Sequence, residues 1–146
     1  DVNDYFDITG VQLEVGDTAT PFEHRSYGDE LARCQRYFFR HYKTQAYESI
    51  GNASMFSGSE TYVTYHWPVR MRANPTVSVS SAADFNVAGN GSDLGATNFT
   101  AGHASPFSAQ LNFQRSTGLT NGYAYWIRMT GGGADINQYV QADAEL

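Results

Sequence analysis

After residue 36 the sequence consists of short segments in which apolar and polar residues alternate, each bounded by Gly, Asn, Ser or Pro. A period of two places one face of a strand against a core and the other toward solvent. Residues 61–67 and 107–113 show it most clearly. The predicted strands are residues 37–42, 53–56, 61–67, 76–80, 84–87, 96–101, 107–113, 123–129 and 136–142. Many short strands at this spacing predict an all-β fold, an antiparallel β-sandwich or jelly-roll-like domain.

The first 26 residues form a separate part of the pattern. Residues 4–9 and 11–15 are each predicted to form a short strand, the second with apolar residues at every other position. Two strands bury too little surface to fold alone. We therefore interpret residues 1–26 as the end of an upstream β domain plus a linker, and residues 27–146 as a short helix and a C-terminal β-sandwich knob. The start at Asp1, without a leader-like segment, is expected for a fragment or mature part of a longer protein.

A short α-helix is predicted at about residues 27–36, between the linker and the first strand. Ser26 is placed to cap its first turn. Leu31, Cys34 and Phe38 follow at a spacing that puts them on one apolar stripe. Cys34 is the only cysteine, which excludes an intrachain disulfide and a metal site made of several cysteines. Its position on the stripe predicts a small buried side chain rather than a reactive thiol.

The charge balance bears on the class of partner. Nine Lys and Arg against fifteen Asp and Glu give a net charge of −6, and the basic residues are scattered. Without a basic run to hold a phosphate backbone, the sequence predicts no nucleic-acid partner. No stretch approaches the roughly 18 continuous apolar residues of a membrane span, so we predict no membrane insertion.

The residue types that often form metal, phosphate or catalytic sites lack the spacing that those sites need. The histidines have no metal-ligand spacing, and the glycine-rich stretches at residues 89–91 and 131–133 are not followed by the Lys-Ser/Thr of a phosphate-binding loop. The histidines are His24, His41, His66 and His103. We therefore predict no catalytic residue, no metal and no cofactor.

Paired carboxylates could still serve glycoside hydrolysis. Within the strand region these are Glu48, Glu60, Asp84 and Asp93.

Aromatic residues on the predicted strands allow two interpretations. The residues concerned are Tyr65, Trp67, Tyr125 and Trp126. They could form a platform for stacking a sugar, but we favour a role in the core or in a subunit interface, which is where large aromatic side chains contribute most burial. Asp4 and Asp7 could contribute to calcium binding, although the sequence lacks a D-x-D-x-D loop.

Several stretches together resemble one class of protein. They are residues 8–16 (ITGVQLEVG), 19–23 (ATPFE), 30–37 (ELARCQRY), 68–77 (PVRMRANPTV) and 142–146 (ADAEL). The pattern resembles bacteriophage tail-fibre and other virion structural proteins. In those proteins the first piece resembles the end of a carbohydrate-binding-module-like jelly roll, and the next leads into a C-terminal β domain. The resemblance is densest over residues 8–37, whereas residues 80–135 match no pattern.

The resemblance implies a non-enzymatic virion protein, assembled in the cytoplasm of the bacterial host. We expect the C-terminal tip of a trimeric tail or head fibre, with other virion proteins and a host cell-surface glycan as partners. One alternative is a capsid decoration or baseplate protein without receptor binding. Another is a fragment of a tailspike that degrades polysaccharide.

Two sets of residues are predicted to carry these contacts. Residues 88–95 are predicted to form a glycine-rich loop, and exposed loops can vary with a receptor without disturbing a core. The predicted receptor-binding residues are Asn90, Ser92, Asp93, Asn98 and His103. The predicted oligomer interface is the stripe of Leu31, Cys34 and Phe38, with the helix at residues 27–36 placed on a three-fold axis or against the β domain.

Overall fold

The computed structural model of the protein describes residues 8–145. All its helices and strands lie between Tyr27 and Asp143. They are α1 (Tyr27–Gln35), β1 (Phe38–Lys43), β2 (Ser49–Ser57), β3 (Glu60–His66), β4 (Thr76–Val79), a 3₁₀ turn (Ala82–Asp84), β5 (Phe85–Gly89), β6 (Ser92–Gly95), β7 (Asn98–Gly102), β8 (Ser108–Gln114), β9 (Tyr125–Met129) and β10 (Asp135–Asp143). The predicted all-β class is confirmed, and every strand predicted after residue 36 overlaps an observed one.

The strands form two antiparallel sheets that pack as a sandwich. The smaller sheet has the order β1-β10-β4, and the larger has the order β6-β5-β9-β2-β3-β8-β7. β6 and β7 are the opposite edges of the larger sheet, yet only Ala96 and Thr97 separate them in sequence. Those two residues donate main-chain hydrogen bonds of 2.8 Å to Phe85 on one side and Gln114 on the other. The larger sheet must therefore curl until its edges approach each other.

The core lies between the sheets and follows from the alternation of the strands. On β9, Tyr125, Ile127 and Met129 are buried, whereas the residues between them face away from the core. Phe113 on β8 lies at the centre of an aromatic cluster, with its ring centroid 4.9 Å from that of Phe85 and 5.1 Å from that of Phe99. The smaller sheet contributes the buried side chains of Val140, Ala142 and Ala144.

The prediction of a strand at residues 11–15 is wrong. This segment forms no strand, and Leu13 is 99% exposed. A strand needs a hydrogen-bonding neighbour, and instead the segment folds back on itself through the Glu14 carboxylate. That group accepts bonds of 2.6 Å and 2.5 Å from the main-chain amide and hydroxyl of Thr20. The predicted strand at residues 4–9, and with it Asp4 and Asp7, lies largely outside the described residues.

The predicted helix is confirmed, but the predicted burial of Cys34 is wrong. Ser26 caps α1 by accepting a hydrogen bond from the Asp29 amide. No residue of α1 is fully buried. Cys34 is exposed because the half-buried side of the helix carries Ala32 and Gln35 instead. Within residues 8–145, no helix is long and apolar enough to cross a membrane.

The prediction of a loop at residues 88–95 is also wrong, because most of this segment is a β-hairpin. β5 and β6 pair from Asn86 with Gly95 to Gly89 with Ser92. Asn90 and Gly91 form the connection, with φ angles of 50° and 71°. Positive φ at both central positions is the geometry of a tight hairpin turn. Residues that look like a flexible loop are thus held in an edge strand.

Candidate functional site

The structure divides the predicted receptor-binding residues between the two edges of the larger sheet. Asn90, Ser92 and Asp93 lie on the β5–β6 hairpin, whereas Asn98 begins β7 and His103 follows it. The side chain of Asp93 is paired with an arginine and that of Asn98 with a glutamine. His103 is exposed, with a φ of 49°. Receptor binding by these residues stays a prediction.

Asp93 belongs to a row of side chains on the face of the larger sheet that points away from the smaller sheet, which we call the outer face. Residues that are directly opposite on neighbouring strands share a face. The register therefore places four residues in one row across β6, β5, β9 and β2: Asp93, Ala88, Trp126 and Asn52. The adjacent row, in the same strand order, consists of Gly95, Asn86, Arg128 and Ser49.

An ion pair crosses these two rows. The Arg128 guanidinium donates to both carboxylate oxygens of Asp93, through Nε at 3.1 Å and through a second nitrogen. These bonds hold the pKa of the Asp93 carboxyl below its usual range, so it is ionised at neutral pH. The same guanidinium lies 4.6 Å from the ring centroid of Tyr47. Arg128 is thus fixed on one side by a carboxylate and on the other by an aromatic face.

Three of the four strand aromatics have the predicted core position, and the alternative of a subunit interface stays a prediction. Trp67 and Tyr125 are buried and Tyr65 is half-buried, in agreement with a core role. Trp126, in contrast, is 41% exposed on the outer face. Its position between Ala88 and Asn52 gives it a small neighbour on one side and an amide on the other. We call Trp126, Asn52, Asp93, Arg128 and Tyr47 the Trp126 patch.

A second polar cluster lies on the outer face of β3 and β8. The Glu60 carboxylate accepts bonds from Gln114 at 3.1 Å and from Asn112 at 3.4 Å, and Gln114 in turn accepts a bond of 2.8 Å from Asn98. Asn112 is buried, and its side-chain oxygen has no hydrogen-bond partner among the described residues. This chain of amides ties the β7 edge to the centre of the sheet.

A third polar group, which we call the His41 clamp, bridges the two sheets. His41 on β1 contacts Tyr65 on β3, with 2.7 Å between Nδ1 and the phenol oxygen, and contacts the Glu48 carboxylate at 2.8 Å through Nε2. The other Glu48 oxygen accepts bonds from the main-chain amide and the hydroxyl of Thr44, at 2.5 Å and 2.8 Å. The clamp therefore joins the smaller sheet to the larger one and fixes the turn after β1.

The electrostatics of the clamp favour a structural role. Burial by itself raises the pKa of the Glu48 carboxyl, but hydrogen bonds from His41 and Thr44 lower it to about 2. Burial, together with the nearby Glu48 carboxylate, raises the pKa of Tyr65 to about 12. A carboxylate, an imidazole and a hydroxyl in series suggest an activated nucleophile. In the clamp, however, these groups join the two sheets: the Glu48 carboxylate is ionised and holds both His41 and Thr44, and the Tyr65 phenol is protonated at neutral pH.

The carboxylates considered for glycoside hydrolysis occupy separate settings. Glu48 belongs to the His41 clamp and Glu60 to the amide cluster, while Asp84 accepts a bond from Ser80 and Asp93 is paired with Arg128. Hydrolysis needs an acid and a second carboxylate that flank one bond. Strands β5, β9 and β2 separate Glu60 from Asp93. Among residues 8–145, no three His, Cys, Asp or Glu side chains are grouped closely enough to hold a metal ion.

Exposed apolar side chains outside the larger sheet lie on three consecutive parts of the chain. The arm, residues 8–26, exposes Leu13 and Val15, and α1 exposes Cys34 and Leu31, the latter to 40%. Phe38 on β1 of the smaller sheet faces away from the core because Phe39, its neighbour in sequence, packs inward. We call Leu31, Cys34 and Phe38 the apolar stripe. The predicted interface residues are thus exposed in the single chain.

Comparison of the chain with known protein families, with curated proteins and with solved structures finds no match.

Proposed function

We propose that this chain is a non-enzymatic structural protein of a bacteriophage virion. It forms the C-terminal tip of a trimeric tail or head fibre and attaches the particle to a glycan on the host surface. The observation that carries the proposal is the uncovered apolar surface of the arm and α1. Proteins that assemble present apolar surfaces of this kind, whereas a domain that works alone gains nothing from exposing one.

The physical case for assembly rests on the cost of that exposure. Leu13, Val15 and Leu31 are exposed to 99%, 107% and 40% of their reference areas. Each Å² of apolar surface removed from water contributes about 25 cal/mol, and monomeric proteins rarely leave large contiguous apolar patches uncovered. Symmetric copies of the same chain are the commonest way to cover such a surface. The number three comes from the resemblance to fibre proteins.

The arrangement also suits attachment. Phe38 of the stripe points away from the core on the smaller sheet, whereas the outer face belongs to the larger sheet, so assembly through the stripe leaves the outer face of every copy open. Several copies, each with a weak site, bind a repeated surface glycan with an avidity far above the affinity of one site. A fibre tip attaches in this way, through weak sites on several linked copies.

Light scattering on the purified protein tests the assembly. We expect the mass of three copies for the wild type at micromolar concentration and that of one copy for Leu31→Asp, because a carboxylate on the stripe cannot be desolvated without a partner. Ile136→Asp is the matched control, since Ile136 is an exposed apolar residue outside the stripe. It is expected to remain trimeric. A wild type with the mass of one copy would overturn the proposal.

The single cysteine gives an independent readout. Cys34 is exposed in the isolated chain, so a trimer that buries the stripe shields its thiol from a maleimide reagent. We expect slow labelling of the native wild type and fast labelling of Leu31→Asp. Equal rates would show that the stripe is not the interface, even if the protein is trimeric.

Binding of the fluorescently labelled trimer to a panel of bacterial strains tests attachment. A fibre tip binds at least its host strain, whereas a decoration or baseplate protein binds none. Release of soluble sugar from bound cells, lost on Glu48→Gln, Glu60→Gln, Asp84→Asn or Asp93→Asn, would instead favour the polysaccharide-degrading alternative.

A further inference from the structure

The most unusual feature of the outer face is an exposed tryptophan on a central strand. β9 lies between β5 and β2, away from both edges of the sheet. Trp126 is nevertheless 41% exposed, whereas Trp67 is only 7% exposed. A large apolar ring that faces water gains free energy when a ligand with an apolar face covers it.

The surroundings of Trp126 leave one approach to its ring open. Its neighbour Ala88 points to the same outer face and lies outside the core cluster, yet it is only 1% exposed. Neighbouring side chains therefore cover Ala88, and Trp126, directly opposite on β9, is the largest side chain in the row. The exposed 41% of the Trp126 side chain is the part that a ligand can reach.

Polar groups flank the ring along the same row. Asn52 is directly beside Trp126 on β2, and Asp93 follows beyond Ala88 on β6. Strands are spaced about 4.8 Å apart, so the Cα atoms of Asn52 and Asp93 are separated by about 14 Å with the indole between them. An amide and a carboxylate on either side of an aromatic ring can bond hydroxyl groups at the rim of a ligand that stacks on the ring.

The backbone at Tyr47 supports a built site rather than an incidental arrangement. Tyr47 has a φ of 53°, a conformation that an L-residue with a large side chain adopts only at a cost. Its amide is held by a 3.3 Å bond to the Gly131 carbonyl, and its ring is stacked on Arg128. The strained backbone thus presents Tyr47, which is 51% exposed, beside the second row of the patch.

The charges of the patch decide between classes of ligand. Arg128 is the only Lys or Arg in the two rows, and both oxygens of Asp93 already bond it. A phosphate or an acidic sugar would find the cations at the patch already bonded, Arg128 to Asp93 and Arg115 to the carbonyls of Gly95 and Thr117, and it would approach a chain with a net charge of −6. A neutral ligand with one apolar face and several hydroxyls matches the ring, the amide and the remaining lone pairs of the carboxylate.

We propose that the Trp126 patch binds one neutral pyranose residue of a host glycan, stacked on the indole and hydrogen-bonded by Asn52 and Asp93. Arg128 is a positioning residue, because it fixes the Asp93 carboxylate through two bonds and is itself braced by Tyr47. This assignment rests on the proposed role in host attachment and names the site and the sugar class for it.

Saturation-transfer NMR on the full chain tests the site with defined probes. The neutral probes are methyl glycosides of glucose, galactose, mannose, rhamnose and N-acetylglucosamine, and the acidic probes are glucuronic acid and N-acetylneuraminic acid. We expect transfer to the ring protons of at least one neutral sugar and none to the acidic ones. Trp126→Ala should reduce that transfer at least tenfold and Asp93→Asn several-fold, while Phe107→Ala, which removes an exposed aromatic elsewhere, should leave it unchanged.

Acrylamide quenching gives a second readout that needs no variant. The exposed Trp126 is accessible to the quencher and the buried Trp67 is not, so the bound neutral sugar should protect the quenchable part of the fluorescence. Transfer that survives Trp126→Ala, transfer to acidic sugars alone, or transfer to none of the probes would overturn the proposal. So would a change of oligomeric mass in Trp126→Ala, since the ring would then belong to a subunit interface.

Cell binding separates this proposal from the proposed function. If the wild type binds a bacterial strain and Trp126→Ala binds it equally well, the assigned site is wrong and attachment stands. If the trimer binds no strain of the panel while a neutral sugar still binds at Trp126, the site stands and the attachment role fails.

Discussion

Acidification should weaken the protein through one residue of the His41 clamp, and the effect can be sized from the structure. Glu48 is held by His41 and by the amide and hydroxyl of Thr44, and its side chain is only 14% exposed. Its pKa in the folded protein is about 2, against an ordinary value of 4.5. Because the folded value is the lower one, the stabilisation is complete above about pH 4.5 and is lost as the pH falls toward 2.

The difference between these two pKa values corresponds to about 3 kcal/mol of unfolding free energy at pH 7. Water reaches the rim of the clamp, where the His41 side chain is 24% exposed, and it screens the charges there. We therefore expect Glu48 to contribute about 2 kcal/mol. That is a large share of the 5–15 kcal/mol or so that a domain of ordinary stability possesses.

The assay is urea unfolding of the wild type and Glu48→Gln between pH 7 and pH 2.5, at one fixed protein concentration because assembly contributes to stability. We expect Glu48→Gln to be about 2 kcal/mol less stable at pH 7, and this difference to shrink as the pH falls below about 4.5, to less than half of its neutral value at about pH 2.5. Glu145→Gln, which removes an exposed carboxylate outside the clamp, should follow the wild type throughout. A difference between wild type and Glu48→Gln that stays constant over this range would refute the reasoning.

Four further substitutions test the fold by the same urea assay. Gly89→Ala should cost at least about 2 kcal/mol, because φ is 149° and the new Cβ would lie 2.7 Å from the main-chain oxygen of Ala124. Gly91→Ala, with φ of 71° but open space around the Cβ, should cost only about 1 kcal/mol, and equal costs would contradict the steric argument. Phe113→Ala should cost about 3–5 kcal/mol by leaving a cavity beneath two other rings; a cost below about 1 kcal/mol would mean that the core collapses. Lys43→Met should cost about 1–3 kcal/mol, since two main-chain carbonyls lose the buried ammonium group that bonds them, and an unchanged midpoint would show that water replaces it.

The strands were predictable because alternation is a local signal, and β6 was missed because it has none. Ser92–Gly95 contains one apolar side chain, and its strand character comes from pairing with β5. The opposite error occurred at residues 11–15, where the alternation is present but no described strand pairs with the segment. A sequence pattern states that a strand is possible, and a partner decides whether it forms.

The Trp126 patch shows how much of a site can be predicted. The alternation of residues 123–129 puts Tyr125, Ile127 and Met129 on one face, so the same pattern already indicated that Trp126 and Arg128 face outward. The pairing of Arg128 with Asp93, 35 residues earlier, was not predictable, because it depends on the registers of β5 with β6 and with β9. The His41 clamp was hidden for the same reason, since it joins strands of different sheets.

The placement of the two proposed surfaces on different elements has a measurable consequence. Leu31 lies on α1 and Trp126 on β9, two elements that do not pack closely on each other, and effects at such separated sites are expected to be independent. The Leu31→Asp monomer should therefore bind a neutral sugar as tightly per site as the wild type does. It should bind cells at least about 100-fold more weakly, because avidity among linked sites is worth roughly a factor of 10² to 10⁴. Equal losses in both measurements would mean that assembly builds the sugar site itself, and the separation of assembly from recognition would then be wrong.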